Sequence, residues 1–307
     1  MRPRHLPDLV RTRDLALLPS EDRAAAGPMV RVRRGVLAPA TLVAPGAPRS
    51  PAERAGDDVL RHARAFERVA GTPFALSRTT AAILLGCWVL RPGLPVHVTQ
   101  ETRASTSAHD RRLVVRHRQR IPERDLRVHD DVVVTSLERT VVECAATLPF
   151  TGAVVLADSG LRLGADRAVI EDLLGSLAGS RGIRQARAAI EAASNVVRSP
   201  GESMVRAVAL RAGLPAPTPL HVVDTDLGPQ ELDVAWVHER VAVEMDGAVK
   251  LAGLGESDLT RRLHAEMERH DALTRAGWVI LRATWAMVLR EADLARRLVR
   301  LVHHRML

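Results

Sequence analysis

Three acidic residues interrupt apolar, β-branched runs in the stretch ELDVAWVHERVAVEMDGAVK, residues 231–250. A buried carboxylate is costly unless it is paired, hydrogen-bonded or bound to a cation. Alternate residues of a strand share one face, so Glu244 and Asp246 point the same way, and the short turn at HER brings Asp233 of the preceding strand beside them. Like charges this close repel one another, and we expect a divalent cation with oxygen ligands, Mg²⁺ or Mn²⁺, to neutralise them. Such an ion activates bound water and stabilises charge on a phosphate.

The elements around these acids are predicted in the order helix, three strands, helix, strand and helix over residues 199–307. Ser199 followed by Pro200 is a helix-start signal, and Glu202 lies in the first turn of that helix. The alternating runs PLHVVDTD, GPQELDVAWV and RVAVEMDG are separated by turn residues and predict a three-stranded meander. The amphipathic run ESDLTRRLHAEMERHDALTRAG predicts a long helix that ends at Gly277, followed by a strand at WVILRATW and a last helix.

An acid on one strand, Glu-x-acid on the next and a glutamate on the preceding helix together resemble the PD-(D/E)xK nuclease superfamily. The motifs SPGES, LD, VAVEMDGAVK and RHDALTRAGWVILRATW are similar to the domain of unknown function 559 family, which is grouped with the very-short-patch-repair endonucleases. The resemblance covers about residues 199–300. It implies a restriction-endonuclease-like αβββαβα domain that hydrolyses phosphodiesters with Mg²⁺ or Mn²⁺, although a fold does not by itself fix an activity.

The resemblance also implies roles for individual residues. Asp233 would be the central metal ligand, Glu244 a second ligand, and Glu202 would orient the metal or the attacking water. Asp246, a further candidate ligand, stands where the superfamily has lysine. Lys250, the only lysine of the chain, would supply the missing positive charge. The alternative interpretation is that Lys250 is a plain surface lysine.

A second pair of charged residues lies on the helix that follows these strands. Glu266 and Arg269 are one turn apart, so both could reach the same cleft. The alternative is an exposed intrahelical ion pair, which stabilises a helix by only a few tenths of a kcal/mol.

The N-terminal residues 1–40 predict a small, degenerate winged-helix unit. A weakly helical segment at LPDLVRTRDLALLPSEDRAAAG precedes MVRVRRGVLAP, which alternates apolar and basic residues and has Gly35 at a hairpin turn. We expect valines 30, 32 and 36 to face a core and the basic residues to face outward along a DNA backbone; these are Arg31, Arg33 and Arg34. The alternative is a solvated edge strand protected by charge.

The segment 41–56 predicts a linker, and residues 57–195 predict a mixed α/β middle domain. The motifs MVRVRRGVLAP, SRTTAAILLG, VHVT, VTSLERTVVECA and AVVLADSGLRLG resemble the AbiEi-like antitoxins of type IV toxin–antitoxin systems. That resemblance implies a winged helix joined to a mixed α/β domain, a role in DNA-binding regulation and a cognate toxin or other protein partner.

Composition narrows the class of protein. The net charge of +8 favours a polyanionic partner such as nucleic acid, although nearly all 44 basic residues are arginine, which is also typical of a GC-rich genome. No apolar run is long enough for a membrane helix and no signal peptide is recognisable, so we expect a cytoplasmic protein with no membrane partner. Cys87 and Cys144 predict buried free thiols, and histidines 97, 109, 117 and 129 lack metal-ligand spacing.

Two functions remain open at this point. One is a protein that binds double-stranded DNA and carries a metal-dependent endonuclease domain. The other is a non-enzymatic, antitoxin-like transcriptional regulator whose nuclease fold binds DNA without cutting it. A third, purely structural role would show no salt-dependent affinity for DNA.

Overall fold

The computed structural model describes residues 3–14, 29–39, 50–102, 112–246 and 256–306. They form ten α-helices and three sheets, so the predicted mixed α/β class is confirmed. None of the described helices has the length and apolarity that a membrane crossing requires. The chain divides into two compact units, Met1–Leu148 with Ser159–Arg187 and Pro149–Asp158 with Ala188–Leu307. This division places residues 1–40 and most of the predicted middle domain in one unit.

The first unit contains a small antiparallel sheet in the order β1-β3-β2, formed by β1 (Val10–Arg11), β2 (Met29–Arg33) and β3 (Val36–Pro39). The described part of the predicted N-terminal helix contains strand β1 instead, while residues 15–28 lie outside the described range. Gly35, at φ +84°, makes the predicted hairpin turn.

The outward orientation predicted for one wing arginine is wrong. The β2–β3 register shifts between Arg31 and Arg33, which marks a bulge, and a bulge adds one residue and reverses the alternation of faces. Arg33 is therefore buried, with its guanidinium carbon 5.4 Å from the centre of the Phe66 ring, whereas Val30 is exposed. Arg31 and Arg34 are exposed as predicted.

Helix α1 (Pro51–Glu67) begins inside the segment predicted as a linker, so that prediction is wrong from residue 50 onward. The Ser50 hydroxyl accepts a hydrogen bond from the Glu53 backbone N–H at 3.2 Å, and the Glu53 carboxylate accepts one from the Ser50 N–H at 2.7 Å. This reciprocal capping box, with Pro51 at the first helical position, starts a helix in a stretch whose composition otherwise suggests a loop.

A five-stranded sheet in the order β6-β5-β4-β8-β7 forms the rest of the first unit's core. Its strands are β4 (Ala75–Leu76), β5 (Val96–Gln100), β6 (Val114–Arg118), β7 (Leu126–His129) and β8 (Val132–Thr135). Helices α1, α2 (Arg78–Leu84) and α3 (Leu137–Ala145) also belong to this unit. Both cysteines are buried and free, as predicted.

Three helices follow: α4 (Phe150–Arg162), α5 (Arg167–Ser176) and α6 (Ile183–Glu191). Of the three divisions between the two units, one directly precedes α4 and the others fall within α4 and α6. In the second unit, Asp158 of α4 forms a fully buried ion pair with Arg206 at 3.0 Å.

The second unit has a four-stranded sheet in the order β12-β11-β10-β9. Helix α7 (Pro200–Arg211) precedes β9 (Thr218–Thr225), β10 (Gly228–Trp236) and β11 (Val241–Met245), which pair as an antiparallel meander. Helix α8 (Glu256–Arg275) then crosses to β12 (Val279–Ala283), which runs parallel to β11. The short α9 (Trp285–Val288) and the long α10 (Glu291–Met306) complete the chain. Leu232, Ala242, Leu273 and Trp278 are part of the hydrophobic core of this unit.

Candidate active site and nucleic-acid interface

The strand register places Asp233 beside the predicted second acid. The β10–β11 ladder includes the pair Val234↔Val243, so one step further along the strands Asp233 lies opposite Glu244. The Asp233 Oδ2 accepts a hydrogen bond from the Met245 backbone N–H at 2.8 Å. The Asp233 carboxylate thus takes the place of a backbone carbonyl as the acceptor for the Met245 N–H. This hydrogen bond fixes the carboxylate where the pairing of β10 with β11 ends.

Arg269 is the direct partner of the Glu244 carboxylate. Its Nη1 donates to Oε2 at 3.0 Å and its Nη2 lies 2.6 Å from Oε1, a two-point contact that suits a planar guanidinium. Nη2 also donates to the Glu231 carbonyl at 2.6 Å. The hydrogen bond to Glu244 raises the pKa of Arg269 above its ordinary value, and the charges of Glu244, Glu266 and Asp233 act in the same direction. Arg269 therefore contacts the predicted acid Glu244, and it also forms the intrahelical pair with Glu266 that was the alternative interpretation.

Glu266 joins the same network on its outer side. Its Oε1 lies 3.6 Å from Arg269 and also accepts a short hydrogen bond from Arg282 of β12. Arg282 is the cross-strand partner of Glu244 in the parallel β11–β12 pair. The result is a chain of alternating charges, two glutamates and two arginines, beside Asp233.

Glu202 is held at the start of helix α7 by capping interactions. Its backbone N–H donates to the Ser199 hydroxyl at 3.2 Å, and its Oε2 accepts from the Arg198 N–H at 2.9 Å. Burial raises the pKa of Glu202 above its ordinary value and the nearby Asp233 charge raises it further, while hydrogen bonds to the carboxylate from the Ser199 side chain and the Arg198 N–H, together with the Arg198 charge, oppose the rise. Gly201 lets this helix start approach β11 closely, since a Cβ there would lie 2.4 Å from the Met245 Cε.

Asp246 does not join this cluster. Asp246 is exposed, and its backbone N–H bonds to the Ala283 carbonyl at 2.9 Å. Lys250 lies outside the described residues. No three of the four described acids, Glu202, Asp233, Glu244 and Asp246, have carboxylate oxygens that all lie within 4.8 Å of one another. In the described part of the chain, only His5, His129 and Asp130 form a three-ligand group that is this compact. A physical reason is that Arg269 already neutralises Glu244 and the Met245 N–H already satisfies Asp233.

The donor set nevertheless fits a hard divalent cation in kind. Glu202, Asp233 and Glu244 offer only carboxylate oxygens, the ligands that Mg²⁺ and Mn²⁺ take. These acids interact electrostatically, because the Asp233 charge acts on both Glu202 and Arg269. An ion between Asp233 and Glu244 would require Arg269 to release Glu244.

A second feature lies in the first unit, where a cleft of about 650 Å³ is rich in arginine. Its lining comes from the end of β1, the β2–β3 turn and the end of α1: Arg11, Thr12, Arg13, Gly35, Arg68, Val69 and Ala70. Arg13 and Arg68 are only loosely paired with their sequence neighbours Asp14 and Glu67, at 3.6 Å each. The exposed Arg34 adjoins Gly35 in the turn. The arginines of this lining suit a phosphate group by charge.

The sequence does not reveal these cleft residues as a group. Arg11 and Arg13 lie in a segment that reads as a weak helix, and Arg68 is more than fifty positions away at the end of α1. No spacing rule connects them: the pairing of β1 with β3 and the packing of α1 against β2 bring them together.

Comparisons of the chain with known protein families, with curated proteins and with solved structures give no match.

Proposed function

We propose that the protein binds double-stranded DNA and that its second unit hydrolyses a phosphodiester bond with the help of Mg²⁺ or Mn²⁺. The observation that carries the proposal is the position of Asp233 opposite Glu244, one step beyond the last β10–β11 pair, with Glu202 close enough for its pKa to respond to Asp233. Both the arrangement and the resemblance of the sequence motifs support it.

In this proposal Asp233 and Glu244 hold the cation, which when bound lowers the pKa of a water and stabilises charge on the phosphate. Glu202 orients the attacking water through the carboxylate oxygen that does not accept the Arg198 N–H. Arg269, once released from Glu244, offers its guanidinium to a phosphate oxygen, a contact for which its geometry is suited. Asp246 and Lys250 remain predicted contributors, and a cytoplasmic location follows from the substrate.

The test is cleavage of supercoiled plasmid in Mg²⁺ or Mn²⁺ by the wild type and by Asp233→Asn. An asparagine oxygen can still accept the Met245 N–H, so the variant loses the charge while the strand ends keep their hydrogen bond. The matched control is Asp224→Asn, an exposed acid on β9 of the same sheet. We expect cleavage by the wild type and the control and none by Asp233→Asn. Absence of cleavage by the wild type, or equal cleavage by all three, overturns the enzymatic proposal.

A specific observation favours the second candidate, a DNA-binding regulator without catalysis. Arg269 already provides the positive charge that Glu244 needs, and in this candidate the arginines of the cleft contact DNA phosphates without any metal. A cognate toxin or other protein partner belongs to this candidate and stays a prediction.

Fluorescence anisotropy with a DNA duplex over a series of salt concentrations tests the binding step on its own. Each lost phosphate contact should lower the slope of log K against log salt by about one. We expect this change for Arg11→Ala and Arg34→Ala, and no change for Arg91→Ala, an exposed arginine elsewhere in the first unit. Identical slopes of log K against log salt for all three variants would refute the proposal that DNA contacts the cleft.

A further inference from the structure

Two histidines and an aspartate meet in the first unit, far from the acids of the second unit in the sequence. His5 lies in the N-terminal segment, and His129 and Asp130 lie at the end of β7 and in the turn to β8. The His5 Nδ1 is 3.0 Å and 3.2 Å from the two Asp130 oxygens, and the His129 Nε2 is 4.0 Å from Asp130 Oδ2. One ligand atom from each residue falls within 4.8 Å of the other two.

The backbone holds Asp130 in place. Asp130 and Asp131 have φ values of 47° and 62°, so the β7–β8 turn uses the left-handed region that aspartate tolerates better than most residues. The Leu6 N–H donates to Asp130 Oδ2 at 2.7 Å, and Arg64 donates to the Asp130 carbonyl at 3.2 Å. The carboxylate is therefore oriented by contacts that do not depend on any ion.

The two imidazoles are also stacked. Their ring centres are 6.1 Å apart and their planes are inclined by 21°. The His5 side chain is 82% exposed, so it can rotate and a dissolved ion can reach it, whereas the Asp130 side chain is only 22% exposed. The His129 Nε2 lies 2.8 Å from the Arg4 carbonyl oxygen, a hydrogen bond that a metal bond would replace.

We infer that His5, His129 and Asp130 bind a divalent transition-metal ion, with Zn²⁺ as the best fit. Two imidazole nitrogens and one carboxylate oxygen are a ligand set that Zn²⁺, Ni²⁺ and Cu²⁺ prefer and that Mg²⁺ does not. Tetrahedral Zn²⁺ with bonds of about 2.0–2.1 Å needs its ligand atoms about 3.4 Å apart. The His5 Nδ1 and Asp130 oxygens are already this close, whereas the 4.0 Å between His129 Nε2 and Asp130 Oδ2 must shorten by about half an ångström through a small rotation of the carboxylate or the His129 ring. A rotation of the exposed His5 ring can bring its nitrogen closer to that of His129, which lies within 4.8 Å. Water completes the coordination.

A bound ion would join the N-terminal segment to the β7–β8 turn, two parts of the chain 124 residues apart between His5 and His129. The alternative use of the same residues is an ion pair between protonated His5 and Asp130, with no metal. The charge of Arg64, which disfavours a cation, is offset by Glu67 at 3.4 Å. The two uses differ in whether the protein takes up zinc.

The experiment is isothermal titration calorimetry of the full-length, tag-free and chelator-treated protein with Zn²⁺, and with Mg²⁺ in parallel. We expect one saturable zinc site, no heat from Mg²⁺ at this site, and affinity weakened about tenfold or more in both His5→Gln and Asp130→Asn. His303→Gln, an exposed histidine of helix α10, is the matched control and should bind zinc as the wild type does.

Both test variants should fold. His5 is almost fully exposed, and an asparagine at position 130 tolerates the positive φ and can still accept the Leu6 N–H. Unfolding temperature gives a second readout: zinc should raise it in the wild type and in His303→Gln but not in His5→Gln. Absence of a saturable site in the wild type, or equal zinc affinity in the wild type, His5→Gln and Asp130→Asn, overturns the inference.

Discussion

Replacement of Arg269 by methionine is the sharpest test of the acid cluster. The methionine keeps the length of the aliphatic stem but removes the two-point contact with Glu244, whose side chain is 12% exposed against 25% for Arg269. Loss of one partner costs about 3–5 kcal/mol for a fully buried pair and about 0–1 kcal/mol for a surface pair. Because the exposure of this pair lies between those two cases, we expect Arg269→Met to lower the free energy of unfolding by about 2 kcal/mol.

Glu244→Gln should cost less, about 1 kcal/mol, because Arg269 keeps its bond to the Glu231 carbonyl and its contact with Glu266. Urea denaturation of the wild type, the two single variants and the double variant gives the coupling free energy, which we expect at about 1–2 kcal/mol. Arg275→Met is the control on the same helix, since its pair with Asp226 is more than half exposed on both sides. It should change stability by less than about 0.5 kcal/mol.

The same variants report on cation binding. Without Arg269, Glu244 loses its guanidinium partner, so Mg²⁺ should stabilise Arg269→Met more than the wild type. For a dissociation constant near 1 mM, 10 mM Mg²⁺ would add about 1.4 kcal/mol by mass action. A coupling free energy near zero would refute the assigned ion pair. A Mg²⁺ effect no larger in Arg269→Met than in the wild type and Arg275→Met would refute the idea that Arg269 and the cation compete for Glu244.

Two further predictions concern stability in the first unit. In urea denaturation, Gly182→Ala should lower the free energy of unfolding by about 2 kcal/mol more than Gly179→Ala. Both glycines have positive φ, but only at Gly182 would a Cβ meet backbone, 2.0 Å from the Ala146 carbonyl oxygen. Equal losses in the two variants would contradict this clash. His97 and His117 stack with a ring nitrogen contact of 3.0 Å, and burial together with the Arg78 charge lowers the pKa of each to about 4. Below pH 6.5 the unfolded chain therefore binds more protons than the folded protein does. As the pH is lowered from 6.5 to 4, the free energy of unfolding should fall by about 2 kcal/mol for the two histidines together, a figure reduced to allow for their partial exposure. His117→Gln should show a shallower fall over that pH range, and an unchanged slope would contradict the assignment.

Local patterns predicted the second unit well. The Ser199-Pro200 start, the alternation of β9 to β11 and the glycine that ends the long helix all depend on neighbouring residues, and each gave the right type of element. The pairing of Asp233 with Glu244 followed because a short turn fixes strand register. The linker prediction failed for the opposite reason: composition alone concealed a capping box at Ser50 and Glu53.

The sequence by itself determined the mixed α/β class, the order of the elements in the second unit and the meeting of two acids at one end of its sheet. These follow from periodicities of two and 3.6 residues and from turn chemistry, which act over a few positions. Only the tertiary structure decided that Arg269 neutralises Glu244, that a bulge turns Arg33 inward over Phe66, and that His5 lies beside Asp130. Each of these depends on strand register or on packing between distant segments. Such side-chain partners are determined by their positions in space, and the spacing of residues in the sequence does not reveal them.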